Sequence, residues 1–244
     1  MFQKKVAIFA YKGSIKVLFS LSLYLGTIKL KKYHKGVFIM YQGERFNSIS
    51  HLIGAIAALV GMIILVVLAS LKGDPWKIVS FSIYGVTLFS LYLASTLYHS
   101  LRGRAKEIFQ QINYYAIYLL IAGSYTPFTL VTLNGPWGWS LFGSIWLLAA
   151  IGIFQEVIMR KGRSIFSVII YIIMGWLIII ALGPLREGLT PNGFYFLLLG
   201  GLFYSFGVIF YAFDAKVRHF HGIWHLFVLA GSATHYFTVV YYVL

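Results

Sequence analysis

The chain is 244 residues long, and 60% of its residues are hydrophobic while only 11% are charged. A soluble domain carries about 25% charged residues, so this composition excludes an ordinary soluble protein. The net charge of +14 does not indicate a nucleic-acid partner, because the sequence contains no basic face interleaved with aromatic residues.

The first 39 residues form a basic leader that contains eight of the chain's 20 lysines and arginines. Within it, residues 17–28 are apolar but too few to cross a membrane, and no secretory cleavage signal follows them. We expect residues 1–39 to be disordered or to lie on an anionic lipid surface. Met40 immediately precedes the patterned part of the chain, so a translation start at Met40 is an alternative hypothesis.

Seven uncharged, apolar segments follow, each close to the roughly 20 residues that a membrane-spanning helix requires. They are residues 49–71, 78–99, 112–133, 136–155, 164–182, 193–213 and 222–244. We therefore predict an all-α protein in which residues 40–244 form a seven-transmembrane-helix bundle. Such a protein is a multi-pass protein of the cell membrane.

The loops between these segments differ in charge, which predicts the orientation of the bundle. One alternate set of loops contains eight lysines and arginines, and the other contains three. The richer set comprises Arg102, Arg104, Lys106, Arg160, Lys161, Arg163, Lys216 and Arg218, and the poorer set comprises Lys72, Lys77 and Arg186. Because positively charged loops remain in the cytoplasm, we predict a cytoplasmic N-terminus and an outside C-terminus.

Three histidines lie at the predicted cytoplasmic ends of two spans. His99 ends the second span, and His221 and His225 begin the seventh. Positions i and i+4 share one face of a helix, so the last two imidazoles can reach a single ion. The chain has no cysteine, so a transition metal would depend on histidine, carboxylate or water ligands. A single histidine at a helix end is common, whereas three at ligand spacing in one leaflet favour a metal site.

Further polar residues lie at the same end of the predicted bundle. Glu44, Asn47 and His51 fall on one helical face, and Ser95 lies one turn before His99. Glu44 alone fits helix capping. His51 lies inside an apolar segment, where an imidazole needs a partner, so we predict that it holds a metal ligand or a neighbouring helix in place. Asn47 is assigned the same supporting role.

Together these residues resemble the hemolysin III family, the bacterial branch of the progestin and adiponectin receptor (PAQR) superfamily. The resemblance covers the chain from about residue 43 onwards. It rests on Glu44-x2-Asn47-x3-His51, Ser95-x3-His99, residues 121–128 and His221-x3-His225. It implies a protein of the bacterial plasma membrane in which His99, His221, His225 and a water coordinate zinc, with Ser95 close by.

The chain departs from the family at the start of the third span. Asn113-Tyr114 stands there in place of an Asp-His or Asp-Tyr pair. Asparagine can orient a water but cannot take its proton, so we expect metal binding to survive and the general base to be missing. Glu44 is a candidate replacement base, and Ser95 is a candidate donor to a developing oxyanion.

The resemblance leaves three functions open. The first is zinc-assisted hydrolysis of a lipid amide, as implied by the family's similarity to alkaline ceramidases, with a membrane lipid as the partner. The second is a pore-forming, cytolytic protein, although the sequence has no ring of charges and no amphipathic lining helix. The third is a membrane sensor with a structural zinc. An open fourth coordination position would favour catalysis, and four protein ligands would favour the sensor.

Overall fold

The computed structural model describes residues 43–159 and 165–244. The basic leader predicted for residues 1–39 lies outside the described residues and stays a prediction.

Seven helices in the described part of the chain are long and apolar enough to cross a membrane. They are Arg45–Lys72, Pro75–Ser100, Gly103–Leu133, Gly135–Ile158, Ile165–Gly188, Pro191–Phe213 and Phe220–Tyr242, here called the first to seventh spans. The predicted all-α, seven-span fold is confirmed. Most helices extend beyond the uncharged segments because polar residues continue a helix outside the apolar layer. The third span shows this most strongly, since it begins at Gly103 rather than at residue 112.

The connection between the first two spans shows how the sequence ends one helix and begins the next. Gly73 adopts a left-handed conformation with φ of 67°, which closes the first helix. The Asp74 side chain then accepts hydrogen bonds from the backbone N–H groups of Trp76 and Lys77, and Pro75 occupies the first helical position. Such a short turn makes the two spans antiparallel neighbours.

Two spans contain irregular segments, and one side chain links them. The third span continues past Pro127 as a π-helix, Phe128–Leu133, and the fifth contains a 3-10 segment, Leu177–Ala181. The Tyr125 hydroxyl donates to the Met174 carbonyl at 2.8 Å and accepts from the Ile178 N–H at 3.0 Å. The third span therefore supplies a hydrogen-bond partner where the regular helix of the fifth span is interrupted.

The packing order brings the second and seventh spans together. The first span packs on the second, the second on the third, and the sixth on the seventh, while the seventh also contacts the first. A buried cluster of apolar side chains from the first, second, third and seventh spans includes Leu65, Phe81, Tyr92 and Val228. This arrangement places the end of the second helix beside the start of the seventh.

Candidate metal site

His99, His221 and His225 meet where the second span ends and the seventh begins. Each offers one ring nitrogen, and these nitrogens all lie within 4.8 Å of one another. The Nε2 atoms of His99 and His221 are 3.2 Å apart. His99 and His225 are buried and His221 is partly buried. The three imidazoles thus converge, and such a group could hold a metal ion.

Two of these histidines hydrogen-bond to carboxylates through their other ring nitrogen. His99 Nδ1 lies 2.6 Å from Glu44 Oε2, and His221 Nδ1 lies 2.6 Å from Asp214 Oδ2. An ionised carboxylate only accepts hydrogen bonds, so each Nδ1 carries a proton and donates it. In a neutral imidazole, the proton on Nδ1 leaves a lone pair on Nε2.

The third histidine has a backbone partner. His225 Nδ1 lies 3.1 Å from the carbonyl oxygen of Asn47 and 3.3 Å from Ser50 Oγ. Since a carbonyl cannot donate, this Nδ1 also carries the proton. All three Nε2 atoms are therefore available as ligands in the neutral rings.

This set of donors fits a transition-metal ion. When both rings are neutral, the two Nε2 lone pairs that face each other at 3.2 Å repel, and a cation coordinated by both nitrogens removes that repulsion. A histidine that ligates a metal normally donates its other N–H to a carboxylate or a carbonyl, which is the arrangement of these rings. If the ion were a tetrahedral zinc, three protein nitrogens would leave one of its positions open.

The Glu44 carboxylate, at the start of the first span, accepts hydrogen bonds from three side chains. Besides His99, its Oε2 accepts from Asn47 Nδ2 at 3.0 Å, and its Oε1 accepts from Lys106 Nζ at 3.1 Å. These donors, His99 above all, hold the pKa of the Glu44 carboxyl well below its ordinary value. A carboxylate with a lowered pKa is a weak proton acceptor. Glu44 therefore supports His99. The lowered pKa disfavours Glu44 as a replacement base, and that role stays a prediction.

His51 and Ser95 form a buried pair beside the histidine cluster. His51 Nδ1 lies 2.7 Å from Ser95 Oγ. The His51 ring also stacks on the His225 ring, with centroids 3.6 Å apart. His51 consequently contacts both a candidate ligand and the serine one turn before His99.

A cavity of about 940 Å³ adjoins the cluster. Its lining includes Ser95, His99, Asn113, Trp176 and His235. His235 is ten residues after His225 on the seventh helix, which corresponds to about 15 Å along the axis. The structure therefore brings Asn113 and Ser95 into the same cavity as the histidines, and most of the remaining lining is apolar.

Sequence reasoning did not single out Asp214, whose carboxylate contacts His221. Asp214 follows the sixth span, seven residues before His221, and the intervening loop returns the chain to the seventh span. Its proximity depends on the shape of that loop, which sequence periodicity does not give. An acidic residue in a short loop before a ligand-bearing helix is the signal that could have identified it.

Comparisons with known proteins agree with these observations. Residues 39–236 match the family described as Haemolysin-III related. The chain is 49% identical to Hemolysin-3 of Bacillus cereus over 202 residues, which cover 82% of this chain and 92% of that protein. It is 44% identical to the Hemolysin-3 homolog of Bacillus subtilis (strain 168) over 200 residues, with 82% and 93% covered. It is 28% identical to the human Monocyte to macrophage differentiation factor over 199 residues, with 79% and 81% covered. The family resemblance predicted from the motifs is confirmed, and the chain belongs to the haemolysin-III related family of multi-pass cell-membrane proteins.

Proposed function

We propose that the protein is a zinc-dependent hydrolase that cleaves the amide bond of a membrane lipid. The observation that carries the proposal is the meeting of three imidazole donors with a large cavity inside a membrane bundle. A mostly apolar cavity of this size is suited to an acyl chain. The polar groups beside the histidines would then receive the amide end of the lipid.

In this proposal His99, His221 and His225 hold the zinc ion through Nε2. Bound zinc supplies Lewis-acid activation of a carbonyl oxygen and of water. Glu44 and Asp214 fix the orientation of two of the rings and increase their basicity through the Nδ1 hydrogen bonds.

We assign Ser95 the role of donating a hydrogen bond to the oxyanion that develops on the lipid carbonyl. When His51 donates its Nδ1 proton to Ser95 Oγ, the serine proton is free to point to another acceptor. That state makes Ser95 a hydrogen-bond donor in the cavity. A donor aimed at developing negative charge contributes strongly to catalysis in a site shielded from water.

The described residues that line the cavity offer no clear general base for proton transfer. Asn113 lines the cavity and can orient a water, but its amide takes no proton. The two carboxylates that line the cavity among the described residues, Glu44 and Asp214, both accept hydrogen bonds from candidate ligand histidines. This observation favours a second candidate function, a lipid sensor in which the same zinc stabilises the fold without catalysing a reaction.

The two candidates are separated by a lipid-release assay. Purified protein is incubated with ceramides and other N-acyl lipids, and free fatty acid is measured by mass spectrometry. We expect slow release by the wild type, about 100–10,000-fold faster release by Asn113→Asp, which restores a general base, and none by His99→Ala. The absence of release from both the wild type and Asn113→Asp would reject the hydrolase in favour of the sensor. Zinc-independent leakage of dye from liposomes would instead support a pore.

A further inference from the structure

The mouth of the cavity contains one basic side chain that the candidate metal site does not use. Arg218 lies in the loop between the sixth and seventh spans and lines the cavity. It is exposed, and within the described residues no hydrogen bond or ion pair engages its guanidinium. Lys106, in contrast, donates to Glu44.

The charges around Arg218 leave it available for a ligand. Of the described residues that line the cavity, Glu44 and Asp214 are acidic, and Arg218 is the one lysine or arginine. Both carboxylates are hydrogen-bonded to histidines. A guanidinium that no neighbouring carboxylate neutralises attracts an anion, and its planar fork matches the oxygens of a carboxylate or a phosphate.

The backbone beside Arg218 has an unusual conformation. His219, the next residue, also lines the cavity. Its backbone has φ of 71°, a value that residues other than glycine rarely adopt. It immediately precedes the first helical residue of the seventh span, Phe220. Strained conformations of this kind concentrate at binding sites, where the surrounding structure maintains them.

We propose that Arg218 binds an oxyanion, either a carboxylate or a phosphate, on the head of the amphiphile that occupies the cavity. The acyl chain of that amphiphile lies along the apolar walls towards Trp176 and His235. This assignment rests on the proposal that the cavity takes an acyl lipid, and among the N-acyl lipids it favours those with an anionic head over neutral ceramides. It does not require hydrolysis, so it applies equally to an enzyme and to a sensor.

Lys216 provides the matched control. It lies two residues away in the same loop and carries the same charge, but it does not line the cavity, and its ammonium group lies 6.0 Å from the centroid of the Phe213 ring. A loop that merely fixes orientation in the membrane would use both residues alike. A ligand-binding role is expected of Arg218 alone.

The test measures equilibrium binding of three probes with the same monounsaturated hydrocarbon chain to purified, full-length protein in neutral detergent. Oleate carries a carboxylate, oleyl phosphate carries a phosphate, and oleamide is the uncharged counterpart of oleate. We expect wild type and Lys216→Gln to prefer the anionic probes to oleamide. Arg218→Gln should lose about tenfold in affinity for those probes and be unchanged for oleamide. Zinc content and circular dichroism verify that the variant is folded.

The outcomes are distinguishable. A greater loss for oleate than for oleyl phosphate in Arg218→Gln identifies the carboxylate as the preferred head, and the reverse identifies the phosphate. If Arg218→Gln keeps the anionic preference, the head binds elsewhere and the Arg218 assignment is overturned. If Lys216→Gln loses the same affinity for the anionic probes, the effect comes from the overall positive charge of the loop, and the Arg218 assignment is also overturned. If none of the three probes binds, the proposal that the cavity takes an acyl lipid is rejected as well.

Discussion

His51 and His225 stack face to face, with ring centroids 3.6 Å apart and only 12° between their planes. Both rings are buried, and Tyr92 packs edge-on against His51 at 4.9 Å between centroids. The first span thus fixes the orientation of a candidate ligand on the seventh. His225, held on its face by His51 and at Nδ1 by the Asn47 carbonyl, loses little freedom when it binds a metal.

Two substitutions of His51 separate its two contacts. His51→Phe keeps a flat ring against His225 but removes the bond to Ser95, whereas His51→Asn can retain the bond and removes the stacking. We expect His51→Asn to weaken zinc binding about 3–10-fold, because an aromatic contact contributes about 0.5–1.5 kcal/mol, and His51→Phe to weaken it less. Competition with a zinc chelator measures both affinities. Equal losses in the two variants would show that stacking is not the relevant contact.

The carboxylates that hold His99 and His221 should control metal affinity. We expect Asp214→Asn and Glu44→Gln each to reduce zinc affinity about 10–100-fold, because an amide is a weaker acceptor for the Nδ1 proton. Zinc bound per chain is measured across a series of buffered zinc concentrations. Asp74→Asn is the control, since Asp74 caps the second span and asparagine caps a helix equally well. An unchanged affinity in Asp214→Asn would remove Asp214 from the site.

The convergence of the three histidines was predictable from the sequence because it depends on topology. His99 ends one span and His221 and His225 begin another, and in an alternating bundle these ends lie on the same side of the membrane. Hydropathy locates such ends to within a few residues. That precision is sufficient because the side chains involved lie within two turns of each helix end.

The partners of these histidines were predictable only in part. Helical periodicity puts Glu44 and Asn47 on one face, and their position before the first apolar segment puts them at the same end as the histidines. The direct bond from His99 to Glu44 depends on how the first span packs against the second. His225 binds the backbone carbonyl of Asn47, and a carbonyl has no signature in a sequence. Asp214 reaches His221 through an irregular loop in which His219 is left-handed.

Close packing of the first, second and seventh spans predicts that alanine substitution destabilises the protein at one glycine and not at another. A Cβ atom on Gly54 would lie 2.7 Å from the Tyr92 ring and 2.8 Å from the Leu229 side chain. We expect Gly54→Ala to destabilise the protein by about 1–3 kcal/mol through overpacking, as measured by thermal unfolding in detergent.

Gly143 in the fourth span is the control for that substitution. Nothing lies within 4 Å of the position that its Cβ would occupy, and the residue is in the middle of a helix. Gly143→Ala should therefore leave stability unchanged or raise it by up to about 1 kcal/mol. A larger loss in Gly143→Ala than in Gly54→Ala would contradict this packing of the first span.

Removal of zinc should lower the melting temperature of the wild type but not of His99→Ala. A ligand that binds only the folded state stabilises it by about 4 kcal/mol at 1,000 times its dissociation constant. For a chain of this size each kcal/mol shifts the midpoint by about 2–4 °C, so a chelator should lower it by about 8–16 °C. His219→Asn is the matched histidine control, because His219 is outside the cluster and asparagine tolerates its left-handed conformation. Its response to chelator should equal that of the wild type. The same chelator shift in His99→Ala would mean that zinc binds elsewhere, since a two-histidine remnant cannot retain the full affinity of three converging imidazoles.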